Sequence, residues 1–286
     1  MDMNTDLKIL KITFIGAGNL PEAIIYALVN KLKINGKNIT IYDKNEEQYN
    51  RYDKLNLNVN KAYNLNDALN GGDIIFIAVL PQNFAELLPD IKNSGIDLTK
   101  KIFVSTAAGI TTNYIESQIP QKIAVIRTMP NKPVLLGKGM TALCHNGNTS
   151  NEDFNIICGI FAALGENIIL PEEKMNKIIS VNGSSPAYVY LFAEAMLKGA
   201  VEQGFEEDEI YPAVLQSLIG SFEMLKNSGK SPGELIKAVA APKGTTEKAL
   251  ESFYADNFTE IIKKAMLACT IRADEMTKEY CDINKT

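Results

Sequence analysis

The sequence predicts an α/β fold: a doubly wound parallel sheet first, then an all-helical part. Three observations carry this reading. Short apolar runs alternate with helical patterns from Lys11 to Leu170, and strand–helix alternation at this spacing builds a parallel sheet. A turn containing Gly16 and Gly18 follows the first run directly. After Pro171 the strand patterns stop, and long segments carry apolar residues at three- and four-residue spacing, the period of a helix. The expected domains are residues 1–170 and residues 171–286, with the boundary near Leu170–Glu173.

Each element has a local reason. Lys11–Ile15 (KITFI) is a short apolar strand, and Leu20–Leu32 then carries a helical pattern. Asn38–Tyr42 (NITIY) reads as a strand, followed by a polar helix from about Glu46. Asp73–Val79 (DIIFIAV) is a continuous apolar run, as a strand buried on both faces requires. Ile102–Ser105, Ile123–Thr128, Met140–Cys144 and Asn167–Leu170 read as later strands. Pro186–Gln203, Glu207–Asn227 and Asp256–Glu279 are long helical segments. Stretches such as AMLKGAVEQ and AVLQSLIGSF are apolar on more than one face. An intrachain bundle would bury such faces, but a second copy of the chain is the preferred partner, giving an obligate homodimer.

Composition narrows the function classes. The chain has 286 residues and a net charge of −5, with a pI near 5.2. A nucleic-acid partner usually calls for a basic excess, so none is expected. No apolar run approaches the ~18 residues of a membrane span, and MDMNTDLKIL lacks the features of a signal peptide. A cytoplasmic protein without a membrane association is expected. Cys144, Cys158, Cys269 and Cys281 lie far apart, as reduced thiols do in a large cytosolic protein. His145 is the one histidine. It sits at an expected strand end with no partner pattern around it, so it reads as structural, and no metal site is expected.

The glycine turn, Gly16-Ala-Gly-Asn-Leu-Pro21, matches the first two glycines of a dinucleotide fingerprint in the required strand–turn–helix setting. Gly16 would make the tight turn. Gly18 would let the backbone approach a pyrophosphate resting on the helix start. Asn19 and Leu20 open that helix and belong to the same cofactor loop. Pro21 stands at the third glycine position, and proline suits a first helical turn. The first part is thus a Rossmann-type, dinucleotide-binding domain. Asp43 ends the second strand, where an acid accepts from a ribose 2′-hydroxyl and favours NADH. Lys44 follows and could meet the 2′-phosphate of NADPH instead, so the choice between NADPH and NADH stays open. Ala78, Val79, Leu80 and Pro81 end the run whose C-terminal edge abuts the cofactor in such sheets. Met129, Pro130 and Asn131 lie in a proline-stiffened loop on the same edge and could wall the nicotinamide.

A second anion site is expected at Ala240–Thr246 (AAPKGTT). Pro242 and Gly244 interrupt the helical pattern, and Thr245 and Thr246 open a new segment. Free N–H groups at such a start, beside two hydroxyls, suit a small carboxylate.

With these pieces in order, the chain resembles the pyrroline-5-carboxylate reductases from Lys11 to about Met276. GAGNLPEAI, AVLPQ, STAAGI, RTMPNKP, GKGMTAL, NGSSPAYVY and AAPKGTT are similar, in sequence order, to that family's strings. The resemblance implies reduction of 1-pyrroline-5-carboxylate to L-proline, with NADPH or NADH as hydride donor. It also implies a helical dimerisation domain, with larger rings of dimers in some members. Gly244, Thr245 and Thr246 would hold the substrate carboxylate, and the Thr246 hydroxyl would stand near the ring nitrogen as the catalytic group. Ser184 to Pro186 would line the nicotinamide side, and Asn64 matches loosely an asparagine near the cofactor. The chain departs from the family at Leu80 (usually lysine), Ala241 (serine), Lys243 (glycine), Asn182 (serine) and Ser185 (glycine).

Reduction of an imine suits a chain with one histidine. A hydroxy-acid dehydrogenase needs a strong acid/base, whereas a cyclic imine is basic and can arrive protonated. The alternatives are a reductase of another cyclic imino acid and a non-catalytic dinucleotide-binding assembly protein.

Overall fold

The computed structural model describes residues 9–281. The opening residues on which the signal-peptide reading rests lie mostly outside them. Among the described residues one eight-stranded sheet forms: β1 (Ile12–Ile15), β2 (Ile39–Tyr42), β3 (Asn60–Lys61), β4 (Ile74–Ile77), β5 (Ile102–Ser105), β6 (Ala124–Met129), β7 (Gly139–His145) and β8 (Gly165–Ile169). Its order is β3-β2-β1-β4-β5-β6-β7-β8, so the chain reverses direction at β1/β4, the switch point where such sheets bind ligands. Registers Ile15↔Tyr42 and Ile15↔Ile77 bring the ends of β2, β1 and β4 level.

The sheet is not wholly parallel. β7 pairs antiparallel with β6, and β8 then runs parallel to β7. The apolar alternation that identifies a strand says nothing about its direction, which the loop Pro130–Lys138 decides. β3 escaped notice because it is two polar residues long. The expected polar helix from Glu46 is a 3₁₀ turn, Glu46–Tyr49, leading into a short helix, Asn50–Lys54.

Both faces of the sheet are buried by apolar clusters. Ile12, Phe14, Ile24, Phe76 and Phe161 meet on one side, with Phe14 and Phe76 stacked at 4.5 Å. Ile15, Ile75, Ile77, Phe84 and Phe103 meet on the other. Helix Asn19–Asn30 follows the glycine turn, with Ile24, Ile25 and Leu28 buried.

The described chain separates into two compact units. The first ends at Ser184 and takes back the segment from Cys269 onward; the second is Ser185–Ala268. The first unit thus runs past Leu170 and recovers the end of the last helix. The second unit holds helices Ser185–Glu202, Glu207–Asn227, Pro232–Val239, Thr245–Ala255 and the start of Phe258–Tyr280. Within the protomer, helix Ser185–Glu202 buries none of its residues and Glu207–Asn227 buries only Val214. Among the described residues no helix is long and apolar enough to cross a membrane.

Candidate active site

In the first unit, Gly16 adopts φ +99°, and a Cβ there would lie 2.7 Å from the Ala78 carbonyl oxygen at the end of β4. That backbone cannot retreat, so only glycine fits. Its N–H donates to Tyr42 O at 2.8 Å. Gly18 differs: a Cβ there would meet nothing within 4 Å. The space above it is open, and no side chain caps the helix that starts at Asn19. Glu22 N–H makes the bond back to Gly18 O, and Pro21 has no N–H. The N–H groups of Asn19 and Leu20 therefore point from an uncapped, positively polarised helix end. A pyrophosphate fits such a cradle.

A cavity of about 410 Å³ opens beside this loop. It brings together Gly16, Gly18, Asp43, Lys44, Ala78, Val79 and Leu80. Sequence reasoning missed Gln48, Asn83, Glu86 and Leu87, which line it as well. Gln48 lies in the turn Glu46–Tyr49 and Asn83 in the turn Pro81–Asn83, while Glu86 and Leu87 lie on the helix Phe84–Lys92 that follows, which carries no motif of its own. Asp43 is tied into the turn: its carboxylate accepts from Ala17 N–H at 2.8 Å and from Asn45 N–H at 2.9 Å. The Tyr49 hydroxyl accepts from Asp43 N–H and donates to Asp43 O. Lys44 Nζ donates to Glu86 Oε1 at 2.6 Å, and that bond raises the lysine's pKa.

A second cavity, about 470 Å³, is lined by Asn19, Leu20, Pro130 and Asn131 together with Glu22 and Lys132. Arg51 holds its rim by donating to Asn19 Oδ1 at 2.6 Å and Glu22 Oε2 at 3.1 Å. Asn131 is locked in place: it accepts from Met140 N–H and donates to Asn182 O. Asn182 returns bonds to Met129 O and Met140 O. Met129 packs against Ala142, Cys144 and Met175 and does not line this cavity. Asn64 caps helix Leu65–Asn70 by accepting from Asp67 N–H and lines neither cavity. Pro81 starts a 3₁₀ turn.

Behind the loop lies a buried polar network. Arg127, 2% exposed, donates to Glu172 Oε1 and Asn176 Oδ1, both at 2.7 Å. Glu172 Oε2 also accepts from the Thr112 hydroxyl and the Cys144 thiol. Burial pushes the Glu172 carboxyl up, but the Arg127 guanidinium and these donors outweigh it and hold its pKa below the ordinary range. Burial, with Glu172 alongside, pushes the Cys144 thiol well up. Asn176 passes the network to Asp274 and Thr277 of the last helix. His145 ends β7 with its ring against Phe154 at 4.5 Å, a packing role.

The NGSSP segment begins as a π-helical turn, Ile179–Gly183, closed by Ser184 N–H on Ile179 O at 2.8 Å. Such turns often mark functional positions. The Ser184 hydroxyl lies 3.2 Å from the Cys269 thiol. Pro186 sits in the first turn of helix Ser185–Glu202 in the second unit.

The AAPKGTT turn belongs to the second unit. Gly244 precedes helix Thr245–Ala255, and no side chain caps that helix. A Cβ on Gly244 would lie 2.8 Å from Ala241 O. The first intrahelical bond is Lys248 N–H to Gly244 O, so the N–H groups of Thr245, Thr246 and Glu247 face outward from the helix start. Lys243 has φ +61°, a left-handed conformation that favours glycine. Its N–H is held by Glu247 Oε2 at 2.6 Å. The arrangement can bind a small anion through backbone, whatever side chains stand at 241 and 243.

Known proteins match this chain over nearly its whole length. Residues 172–276 fit a family model described as pyrroline-5-carboxylate reductase dimerisation. Residues 11–109 fit one described as NADP oxidoreductase, coenzyme F420-dependent. The pyrroline-5-carboxylate reductase of Haemophilus influenzae is 34% identical over 267 residues, 93% of this chain and 97% of that protein. That of Escherichia coli is 32% identical, covering 94% and 98%. The crystal structure of Plasmodium falciparum pyrroline carboxylate reductase with NADP bound is similar at a TM-score of 0.85 and 26% identity, covering 94% and 99%. A Coxiella burnetii pyrroline-5-carboxylate reductase is similar at 0.84 and 27%, covering 94% and 98%.

Proposed function

The chain belongs to the pyrroline-5-carboxylate reductase family, and we propose that its two uncapped helix starts divide the reaction. The start at Gly18 holds the dinucleotide; the start at Gly244 holds the substrate carboxylate. The chain is an oxidoreductase that reduces 1-pyrroline-5-carboxylate to L-proline, the last step of proline biosynthesis, with NADPH or NADH.

The observation that carries the site assignment is the open helix start at Thr245–Thr246, behind a glycine whose Cβ would strike Ala241 O. The Gly244 N–H donates to Ala241 O at 2.9 Å, so Gly244 shapes the turn. The backbone N–H groups of Thr245 and Thr246 anchor the carboxylate, and the Thr246 hydroxyl orients the ring nitrogen. The bound dinucleotide supplies hydride from its nicotinamide to the C=N carbon. The imine is already protonated, so hydride addition yields the neutral secondary amine, which takes its second proton from water. The protein's task is therefore chiefly placement. Ser184 and Pro186 line the nicotinamide side of the substrate. Gly16, Gly18, Asn19, Leu20, Asp43, Lys44, Ala78, Val79, Leu80 and Pro81 hold the cofactor, with Pro130 and Asn131 at the nicotinamide wall and Met129 packed away from the cavity. Asn64 belongs to this set through the resemblance, while its local role is a helix cap.

The division into residues 1–170 and residues 171–286 is part of this reading, supported by a dimerisation model that begins at residue 172. The protein forms a homodimer through that region. Assembly of dimers into a larger ring extends the proposal, and light scattering that gives the mass of a single dimer removes it. Cytoplasmic residence is part of the same proposal, and a soluble cofactor and substrate support it.

The test is NAD(P)H oxidation with 1-pyrroline-5-carboxylate. Wild-type turnover is expected, and Thr246→Ala should lower kcat about 10- to 100-fold while cofactor affinity holds. Equal turnover in the variant removes Thr246 from the chemistry. Faster turnover with another cyclic imino acid would move the substrate, and that reading rests on the departures at Ala241 and Lys243 in the carboxylate turn. No oxidation with any cyclic imine would favour a dinucleotide-binding assembly protein.

A further inference from the structure

We propose that Glu86 discriminates between the two cofactors by withholding Lys44 from a 2′-phosphate. The proposal rests on the cavity at Gly16 and Gly18 being the dinucleotide site. In a Rossmann-type sheet, the residues closing β2 face the 2′-position of the adenosine ribose. Here those residues are Asp43 and Lys44.

The charges around that position are unbalanced. Asp43, Glu86 and Lys44 line the cavity, two carboxylates against one ammonium. Asp43 cannot move away, because Ala17 N–H and Asn45 N–H hold its two oxygens at 2.8 and 2.9 Å. Its remaining lone pairs can accept a ribose hydroxyl, but they repel a phosphate. Lys44, the one cation among the described lining residues, is bound to Glu86 at 2.6 Å. Asp90 adds to the negative field at the same ammonium. Leu80, 61% exposed, lines this cavity with an apolar side chain where a lysine would have supplied a second cation.

A ribose with free hydroxyls enters without disturbing the Lys44–Glu86 pair. A 2′-phosphate carries close to two negative charges near neutral pH, and it must draw Lys44 off Glu86 to be neutralised. The pair can be exchanged: its side chains are 62% and 70% exposed, and exposed pairs are weak. Glu86 therefore weakens NADPH relative to NADH without blocking it.

The test measures dissociation constants for NADPH and NADH by fluorescence titration of the dimer, with no imine present. In Glu86→Gln the ratio of the NADPH constant to the NADH constant should fall about fivefold, within the reach of an exposed pair. In a Lys44→Met background the same substitution should shift the ratio by less than about twofold, since no ammonium is left to release. An unchanged ratio in Glu86→Gln overturns the proposal. So does an equal shift in both backgrounds, which would mean simple repulsion of phosphate by the carboxylate. Gly18→Leu separates this from the cofactor assignment. That side chain would fill open space and should abolish binding of both cofactors with little change in thermal melting. Normal binding of both by Gly18→Leu would overturn the cofactor site itself, and the proposal with it.

Discussion

Gly16 and Gly18 look alike in the sequence and do different work. Gly16 is fixed by its own fold, through φ +99° and the Ala78 carbonyl 2.7 Å from a would-be Cβ. Gly16→Ala should lower stability by about 2 kcal/mol and loosen the cofactor loop as well. Gly18→Ala should keep stability within about 1 kcal/mol and weaken NAD(P)H binding. Chemical denaturation at fixed protein concentration, beside cofactor titration, separates the two. Lys243 shows the reverse situation. A left-handed φ of +61° explains why a glycine suits that position, and Lys243→Gly should raise stability by about 1 kcal/mol. An unchanged denaturation midpoint would show that the Glu247 bond to Lys243 N–H already offsets the strain.

At the scale of elements, Glu172 fastens three pieces of the first unit, and Arg127 extends the network through Asn176 to a fourth. It meets Arg127 on β6, Cys144 on β7 and Thr112 at a helix start, and Asn176 carries the contact to the last helix. Its folded pKa is lowered. The stabilisation is therefore fully present above the ordinary glutamate pKa, near 4.3, and is lost as pH falls through the lower folded value. Denaturation followed from pH 6 to about pH 3 should show a steep loss in the wild type and a shallower one in Glu172→Gln. Parallel profiles would remove Glu172 from the acid response. None of this network was legible beforehand. Arg127 stood inside a recognisable string, but Glu172 and Asn176 lie in a turn without periodicity. The register Arg127↔Cys144, which brings their partners together, exists only because β7 runs antiparallel.

At the scale of the molecule, the second unit presents apolar side chains that the protomer does not bury. Leu215, Ile219 and Phe222 are 37%, 53% and 49% exposed on helix Glu207–Asn227. Their spacing places them on one stripe, within the region that fits the dimerisation family model, and the proposal is that the second copy of the chain covers it. Ile219→Asp should shift the assembly toward monomer in analytical ultracentrifugation and lower specific activity with it. A variant that stays dimeric would place the interface on another helix face.

The sequence by itself determined the strands Ile12–Ile15, Ile39–Tyr42 and Ile74–Ile77, the long helices, and both uncapped helix starts. These are local consequences of apolar period and of glycine or proline at a turn, so neighbouring residues suffice to specify them. The tertiary structure alone decided the direction of β7, the burial of Arg127 against Glu172 and the capture of Lys44 by Glu86. Side chains far apart in the chain meet only when the sheet order and register bring their elements together, and no local pattern encodes that distance.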